Sequence, residues 1–194
     1  MHMFGIDDEE FIRGNVPMTK AEIRAMVMVK AEIHPEDVVA DIGAGTGSLT
    51  IEAALCAEKG KVYAIERNPE GIELIRQNAE KFGCKNIYTI TGTAPDAMEG
   101  LSPALDVVII GGSSGNMKEI LNRATRLLKP EGRIIMTSVT AETTGEVVQE
   151  FKNRPFAFEG FQMQINRLRK LGRYHLFQPI SPVFIFVATK NKEE

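Results

Sequence analysis

Short apolar runs alternate with longer amphipathic stretches along the first three quarters of the chain. The apolar runs are typical of buried β-strands; one starts at residue 38, and the others span 61–65, 86–91, 105–110 and 133–137. The amphipathic stretches, with apolar residues every three or four positions, are typical of helices and lie at 23–31, 49–57, 72–82, 120–128 and 141–152. This alternation predicts an α/β fold, a doubly wound and mostly parallel sheet with helices on both faces.

Several helix ends carry capping residues. Asn68 followed by Pro69 is typical of a helix start, and Gly83 is typical of its end. Thr19 and Glu22 have the spacing of a capping box, which predicts a helix start there. Thr19 therefore has two possible roles, as an N-cap or as a residue that also lies against a ligand.

The last fifth of the chain has a different pattern. Two strand-like runs, 156–165 and 181–187, follow each other with no helix between them. We expect them to form an antiparallel pair that closes a sheet of seven strands. No repeat, low-complexity segment or linker divides the sequence. We therefore predict one domain over 1–194, made of an N-terminal segment and helix (1–36), a cofactor-binding core (37–140), and a C-terminal helix with antiparallel strands (141–194).

Composition narrows the class of protein. The chain has 194 residues and a net charge of −3, which argues against a general nucleic-acid-binding surface. Cys56 and Cys84 are its only cysteines, too few for a disulfide framework, and we interpret both as small core residues. We find no targeting segment and no apolar stretch long enough to cross a membrane, so we predict a cytoplasmic protein without a membrane partner.

The first strand leads into a glycine-rich loop. Glycine stands at positions 43, 45 and 47, where the absence of side chains lets a ligand approach the backbone. Nineteen residues after Gly47, the second strand ends on Glu66. A carboxylate at this position of a βαβ unit can accept both ribose hydroxyls of an adenosine.

The spacing of the loop distinguishes between two cofactors. Dinucleotide sites usually show Gly-x-Gly-x-x-Gly, whereas here the third glycine comes one residue early. Asp41 also stands two residues before Gly43, where it would repel a pyrophosphate and attract an ammonium group. The pattern therefore favours S-adenosylmethionine over NAD.

The residues from Asp41 to Gly47 resemble the first motif of class I S-adenosylmethionine-dependent methyltransferases, and Glu66 resembles their second-strand acidic residue. Further segments narrow the resemblance to the decarboxylating carbon-15 methyltransferases that act on cobalt-precorrins in anaerobic cobalamin synthesis. The resemblance covers nearly the whole chain and rests on 5–11, 16–20, 64–69, 92–95, 108–113 and 182–183. Of these, 16–20 and 111–113 are the most specific.

The resemblance implies a stand-alone methyltransferase that acts on a cobalt-precorrin tetrapyrrole, with S-adenosylmethionine as cofactor, no metal site and a homotetrameric assembly. The implied cofactor-binding residues are Thr19, Asp41, Gly43, Ala44, Gly45, Thr46, Gly47, Glu66 and Ala94. Thr93 departs from the pattern of many class I enzymes, which place an acidic residue there for adenine. Recognition of adenine would then rest on the backbone at Ala94.

Candidate substrate residues come from two places. Gly111 and Gly112 follow the fourth strand and should face the reacting groups. Arg167, Arg169 and Arg173 lie in a cation-rich segment, and arginine suits the carboxylates of a tetrapyrrole. A solvated basic loop is the alternative interpretation of this segment.

His175 is the candidate for a proton-handling group, because its unperturbed pKa lies near neutrality. A structural histidine is the alternative, and we assign no other catalytic residue from the sequence.

Two further functions share the core motifs. One is a tRNA methyltransferase, in which the basic segment would contact phosphates. The other is a non-catalytic subunit that binds S-adenosylmethionine.

Overall fold

The computed structural model describes residues 4–192, which fold around a seven-stranded sheet. Its strands are β1 (Val38–Ile42), β2 (Lys61–Glu66), β3 (Ile87–Thr91), β4 (Leu105–Ile110), β5 (Leu128–Ser138), β6 (Phe156–Met163) and β9 (Val183–Lys190). Between β6 and β9 the chain forms a separate hairpin of two strands, β7 (Asn166–Leu171) and β8 (Tyr174–Pro179). The order across the sheet is β3-β2-β1-β4-β5-β9-β6. The first five strands are parallel, β9 is antiparallel to β5, and β6 is antiparallel to β9. The predicted fold class and the antiparallel closing pair are confirmed.

Within residues 4–192, five α-helices cover the two faces of the sheet: α1 (Ala21–Ala31), α2 (Ser48–Cys56), α3 (Pro69–Phe82), α4 (Met117–Leu127) and α5 (Ala141–Phe151). The predicted ends of α3 are confirmed. The side chain of Asn68 accepts a hydrogen bond from the amide of Glu70, and Gly83 ends the helix with a φ of 70°. Such a positive φ suits glycine because it has no Cβ.

The two faces of the sheet bury separate apolar cores, because side chains of successive strand residues point to opposite faces. Ala40 and Ile42 of β1 pack on the side of α4 and α5. Val39 packs on the other side, with α1 and α2. Asp41 shares the face of Val39 and is fully buried there. The glycine-rich loop therefore starts from a strand that is buried on both faces of the sheet.

One local prediction is wrong. Thr19 does not cap α1: the N-cap residue is Lys20, with no side-chain cap, and the amide of Ala21 donates to Asp8 at 3.0 Å.

Strand β5 contains a bulge, since Leu105 pairs with Leu128 but Val107 pairs with Arg133. Within this bulge, Glu131 has a φ of 62°.

The cation-rich segment is a β-hairpin and not a loop. Strands β7 and β8 form their own two-stranded antiparallel sheet. Both faces of this hairpin expose large apolar side chains, among them Leu168, Leu171, Tyr174, Leu176 and Phe177.

Both cysteines are half-buried instead of lying in the core, and Cys84 packs against the core on the side of α1 and α2. Burial raises the pKa of the Cys56 thiol and raises that of Cys84 to about 11. Both thiols are therefore protonated at neutral pH, which makes them poor nucleophiles.

Among residues 4–192, no helix is long and apolar enough to span a bilayer. The cytoplasmic location stays a prediction.

A buried ion network fixes the N-terminal segment to the helices. Arg24 is fully buried and lies 2.8 Å from Asp8 and 2.9 Å from Glu52. Glu52 also accepts hydrogen bonds from the amides of Gly5 and Ile6, both at 3.1 Å. Removing one partner of such a network leaves a buried charge without compensation.

Arg24→Met should therefore lower the free energy of unfolding by about 3–5 kcal/mol, because Asp8 and Glu52 would stay buried without their shared cation. Arg133→Met is the matched control, since Arg133 pairs with the exposed Glu32 at 2.6 Å. Its cost should stay below about 1 kcal/mol. Chemical denaturation of both variants measures the difference, and equal losses would contradict the assignment.

Candidate active site

A cavity of about 550 Å³ lies where the carboxyl ends of β1, β2 and β4 meet. Ligands bind at this edge of parallel sheets because the loops that follow the strands converge there. The cavity is lined by the glycine loop at 43–46 and by the segments 65–68, 92–94 and 111–114, which follow other strands. The N-terminal segment contributes 16–20, and the C-terminal part of the chain contributes Thr137, Val139, Ile180, Ser181 and Val183.

The glycine loop needs glycine for two reasons. Gly43, Gly45 and Gly47 have φ values of 72°, 58° and 78°, which side-chain-bearing residues rarely adopt. A Cβ at Gly43 would also lie 2.9 Å from the carbonyl oxygen of Gly112. The backbones of the loops that follow β1 and β4 therefore lie in contact, with no room for a side chain at Gly43.

The amides of the loop are already hydrogen-bonded within the protein. Gly43 and Ala44 donate to the carbonyl of Ile65 at 2.9 and 3.1 Å, and Gly47 donates to that of Ala44 at 2.8 Å. The amide of Gly45 donates to a carboxylate oxygen of Glu66 at 2.8 Å. A phosphate-binding loop needs such amides free for the ligand. This arrangement therefore does not suit a pyrophosphate.

Glu66 lines the cavity and is only 8% exposed. Its second carboxylate oxygen accepts from the amide of Asn68 at 2.7 Å. Each carboxylate oxygen has two lone pairs, so both oxygens can still accept a hydroxyl donor. Two amides thus orient a carboxylate that retains capacity for two hydroxyl groups.

Asp41, in β1, is not among the residues that line the cavity. It is fully buried, and one of its oxygens accepts from the hydroxyl of Thr50 at 2.6 Å. Burial raises the pKa of Asp41 to about 6, the hydrogen bond from Thr50 opposes this rise, and the negative charge of Glu66 adds to it. Asp41 is therefore largely ionised at neutral pH.

Gly71 of α3 is a site residue that we did not predict. A Cβ at Gly71 would lie 2.8 Å from Cγ of Glu66 and 2.8 Å from the carbonyl oxygen of Gly45. A glycine inside a helical pattern was the available signal, because such a residue costs helix stability unless close packing requires it.

Most of the predicted cofactor and loop residues lie together. Besides the glycine loop and Glu66, the cavity is lined by Thr19, Ala94, Gly111 and Gly112. Thr93 lines it as well.

The predicted substrate arginines do not line this cavity. Arg167 donates to both carboxylate oxygens of Glu22, at 2.6 and 2.8 Å, and lies 3.4 Å from Asp8. Its hydrogen bond lowers the pKa of Glu22, and the same contact raises the pKa of Arg167. Arg169 and Arg173 are exposed, contacting Gln178 and Tyr174 on the hairpin.

His175 is exposed on β8, where it pairs across the hairpin with Lys170. It does not line the cavity. The cations that do line it are Lys20 and Arg67. The catalytic role of His175 and the substrate roles of the hairpin arginines stay predictions.

Comparison with known proteins identifies the family. The model of the precorrin methyltransferase domain matches residues 10–190. The chain belongs to the precorrin methyltransferase family. This confirms the resemblance drawn from the glycine loop, Glu66 and the segments around them.

One relative of known name and two solved structures match nearly the whole chain. The cobalt-precorrin-6B C(15)-methyltransferase (decarboxylating) of Salmonella typhimurium is 38% identical, with 95% of this chain and 96% of that protein covered. The solved structure of precorrin-6Y C5,15-methyltransferase from Geobacter metallireducens has a TM-score of 0.91 at 34% identity, covering 98% and 100% of the two chains. Precorrin-8W decarboxylase from Methanobacterium thermoautotrophicum has a TM-score of 0.89 at 35% identity, covering 94% and 98%.

Gly71→Ala should weaken the binding of S-adenosylhomocysteine by about tenfold or more. The added methyl group would displace either the side chain of Glu66 or the glycine loop. Gly145→Ala in α5 is the matched control, since its Cβ would meet nothing within 4 Å. The control should keep full affinity and gain about 0.5–1 kcal/mol of stability. Isothermal titration calorimetry measures both, and unchanged affinity in Gly71→Ala would refute the packing argument.

The pKa of Asp41 predicts a pH-dependent stability. Because the folded-state pKa of about 6 exceeds the ordinary 3.8, the folded protein binds this proton more tightly than the unfolded chain. Protonation of Asp41 therefore stabilises the folded state. This stabilisation is complete below about pH 4 and is lost as the pH rises through about 6. Between those limits the wild type should lose up to about 3 kcal/mol relative to Asp41→Asn, measured by urea unfolding. Parallel pH profiles of the two proteins would contradict it.

Proposed function

We propose that the chain transfers a methyl group from S-adenosylmethionine to carbon-15 of a cobalt-precorrin, with decarboxylation of an acetate side chain, in cobalamin biosynthesis. The observation that carries this proposal is a full-length match to a decarboxylating methyltransferase, combined with a cavity built around the glycine loop and Glu66. Localisation in the cytoplasm is consistent with it.

Three features of the cavity fit S-adenosylmethionine. Glu66 presents two oriented oxygens to which a ribose can donate. Asp41, two residues before the first glycine of the loop, would supply a negative charge suited to the ammonium group. Within residues 4–192, Oδ1 of Asp41 and Oγ1 of Thr46 are buried without a hydrogen-bond partner. Both atoms can bond to a polar ligand or to water that accompanies it.

The cofactor, when bound, supplies an electrophilic methyl group on a sulfonium sulfur. The substrate carbon would form a bond to this methyl group as the sulfur–methyl bond breaks, so a neutral thioether would leave and the positive charge would pass to the macrocycle. In the decarboxylation, the bond from the acetate methylene to its carboxylate would break and carbon dioxide would leave. The electron pair of that bond would enter the conjugated macrocycle and offset the positive charge. The task of the protein is therefore mainly to position the two reactants and to exclude water.

The loop after β4 forms the floor on which the reacting edge of the macrocycle would rest. Gly111 lies against Gly43, since its Cβ would be 3.3 Å from that carbonyl oxygen. Gly112 is open, because its Cβ would meet nothing within 4 Å. Glycine at both positions lets a flat ring system approach the cofactor closely.

The carboxylates of the substrate need cations near this floor. Lys20 lines the cavity, is 34% exposed, and lies 3.9 Å from Asp8, beyond hydrogen-bonding distance. Arg67 lines the cavity as well, and no carboxylate among the described residues lies within 4.0 Å of it. We infer that Lys20 and Arg67, more than the hairpin arginines, bind substrate carboxylates.

The test incubates the purified chain with methyl-labelled S-adenosylmethionine and cobalt-precorrin-6B or a tetrapyrrole analogue. We expect label in the tetrapyrrole together with stoichiometric release of carbon dioxide. Label in tRNA instead, or binding of the cofactor without any transfer, would overturn the proposal.

The same assay separates the candidate cations. Lys20→Met should raise the KM for the tetrapyrrole by about tenfold, because one charge-assisted contact is lost, while the affinity for S-adenosylhomocysteine stays unchanged. The double variant Arg169→Ala, Arg173→Ala is the comparison. If the double variant raised KM and Lys20→Met did not, substrate binding would belong to the hairpin.

The homotetramer implied by the family resemblance also stays a proposal. An isolated two-stranded hairpin is marginally stable in water, and the exposed apolar side chains of β7 and β8 would gain from contact with another subunit. Sedimentation equilibrium of the purified chain measures the number of subunits, and a monomer would contradict the proposal.

A further inference from the structure

Residues 12–20, which we call the strap, cross over the glycine loop. A Cβ at Gly45 would lie 3.2 Å from the carbonyl oxygen of Pro17 and 3.6 Å from the side chain of Val16. From Val16 to Lys20 the strap also lines the cavity. A cofactor held by the loop would therefore lie under the strap.

Two hydrogen bonds hold the strap in its middle and near its C-terminal end. The amide of Asn15 donates to a carboxylate oxygen of Glu70 at 2.7 Å. Nη1 of Arg24 donates to the carbonyl of Thr19 at 2.5 Å. Neither contact reaches the glycine loop.

Asn78 is the side chain that connects the strap to the loop. It is fully buried on α3. Its Oδ1 accepts from the amide of Ile12 at 2.8 Å, and its Nδ2 donates to the carbonyls of Ile12 at 3.1 Å and Thr46 at 3.2 Å. Both donor hydrogens of the amide group are thus used, one on each element.

The position of Asn78 on α3 explains how it reaches both elements. Gly71, Ile75 and Asn78 are spaced four and three residues apart, so they share one face of the helix. That face carries the glycine loop, since a Cβ at Gly47 would lie 2.8 Å from Cγ1 of Ile75. Asn78 is the polar end of this packed face.

We propose that Asn78 is a positioning residue that couples cofactor binding in the glycine loop to ordering of the strap. Asn78 fixes the backbone of Ile12 relative to the carbonyl of Thr46 in the loop, so a cofactor on the loop meets the strap in one defined position. Without the amide donors, Oδ1 still accepts from the amide of Ile12, but the hydrogen-bonded link through Asn78 from the strap to the loop is lost. The inference rests on the proposed cofactor and not on the identity of the tetrapyrrole.

Asn86 is a control with the same chemistry at another place. Its Nδ2 donates to the carbonyls of Ala54 at 3.1 Å and Ala57 at 2.7 Å, which lie at the end of α2. Asn→Asp at either position preserves size and removes two donor bonds to backbone carbonyls. Only the change at Asn78 separates the strap from the loop.

The experiment measures hydrogen–deuterium exchange of the full chain with and without S-adenosylhomocysteine. In the wild type and in Asn86→Asp, the ligand should protect both 43–47 and 12–20. In Asn78→Asp it should still protect 43–47 at saturation but no longer protect 12–20, and its Kd should rise about tenfold or more. Asn78→Ser, which carries no ionisable group, should give the same pattern if the aspartate variant folds poorly.

Ligand-dependent protection of 12–20 that persists in both Asn78 variants would overturn the inference. So would an equal loss of protection in Asn86→Asp, because it would show a general loss of stability. If the wild type bound no S-adenosylhomocysteine at all, the proposed cofactor itself would be wrong.

Discussion

The site depends on how closely α3 approaches the glycine loop. Gly71 and Gly47 allow the helix and the loop to meet at distances that a Cβ at either position would forbid. Since the loop lies this close, its Gly45 amide reaches the carboxylate of Glu66, and its Thr46 carbonyl reaches Asn78. α3, the glycine loop and Glu66 therefore hold one another in place, and their contacts determine the shape of this side of the cavity.

The alternation of apolar and amphipathic segments was sufficient to predict the layered fold, because each element carries its own period and several carry their own end signals. Asn68 and Gly83 act on their own helix, so their roles could be inferred locally. Thr19 shows the limit of such inference. The cap of α1 comes from Asp8, thirteen residues before the amide that it accepts from, and no local pattern encodes that contact.

The candidate site divides in the same way. The residues predicted to bind the cofactor form a contiguous motif followed by one acidic residue, so local spacing alone could select them, and the fold places most of them at one cavity. Its substrate half depends on which cations have already been neutralised. The sequence counts Arg167 among four nearby cations but does not show that Glu22, 145 residues away, occupies its guanidinium group. The same reasoning missed Gly71, whose relevance comes from what the fold places beside it.

The internally bonded amides of the glycine loop have a consequence for the energetics of binding. Because Gly43, Ala44, Gly45 and Gly47 already donate within the protein, the loop has its shape before any ligand arrives. A ligand then pays little conformational entropy to order the loop, and little desolvation of these amides is required. The entropy cost of binding falls instead on partly exposed side chains that line the cavity, such as Lys20. A preformed cradle of this kind gives affinity by avoiding loss of freedom more than by adding contacts.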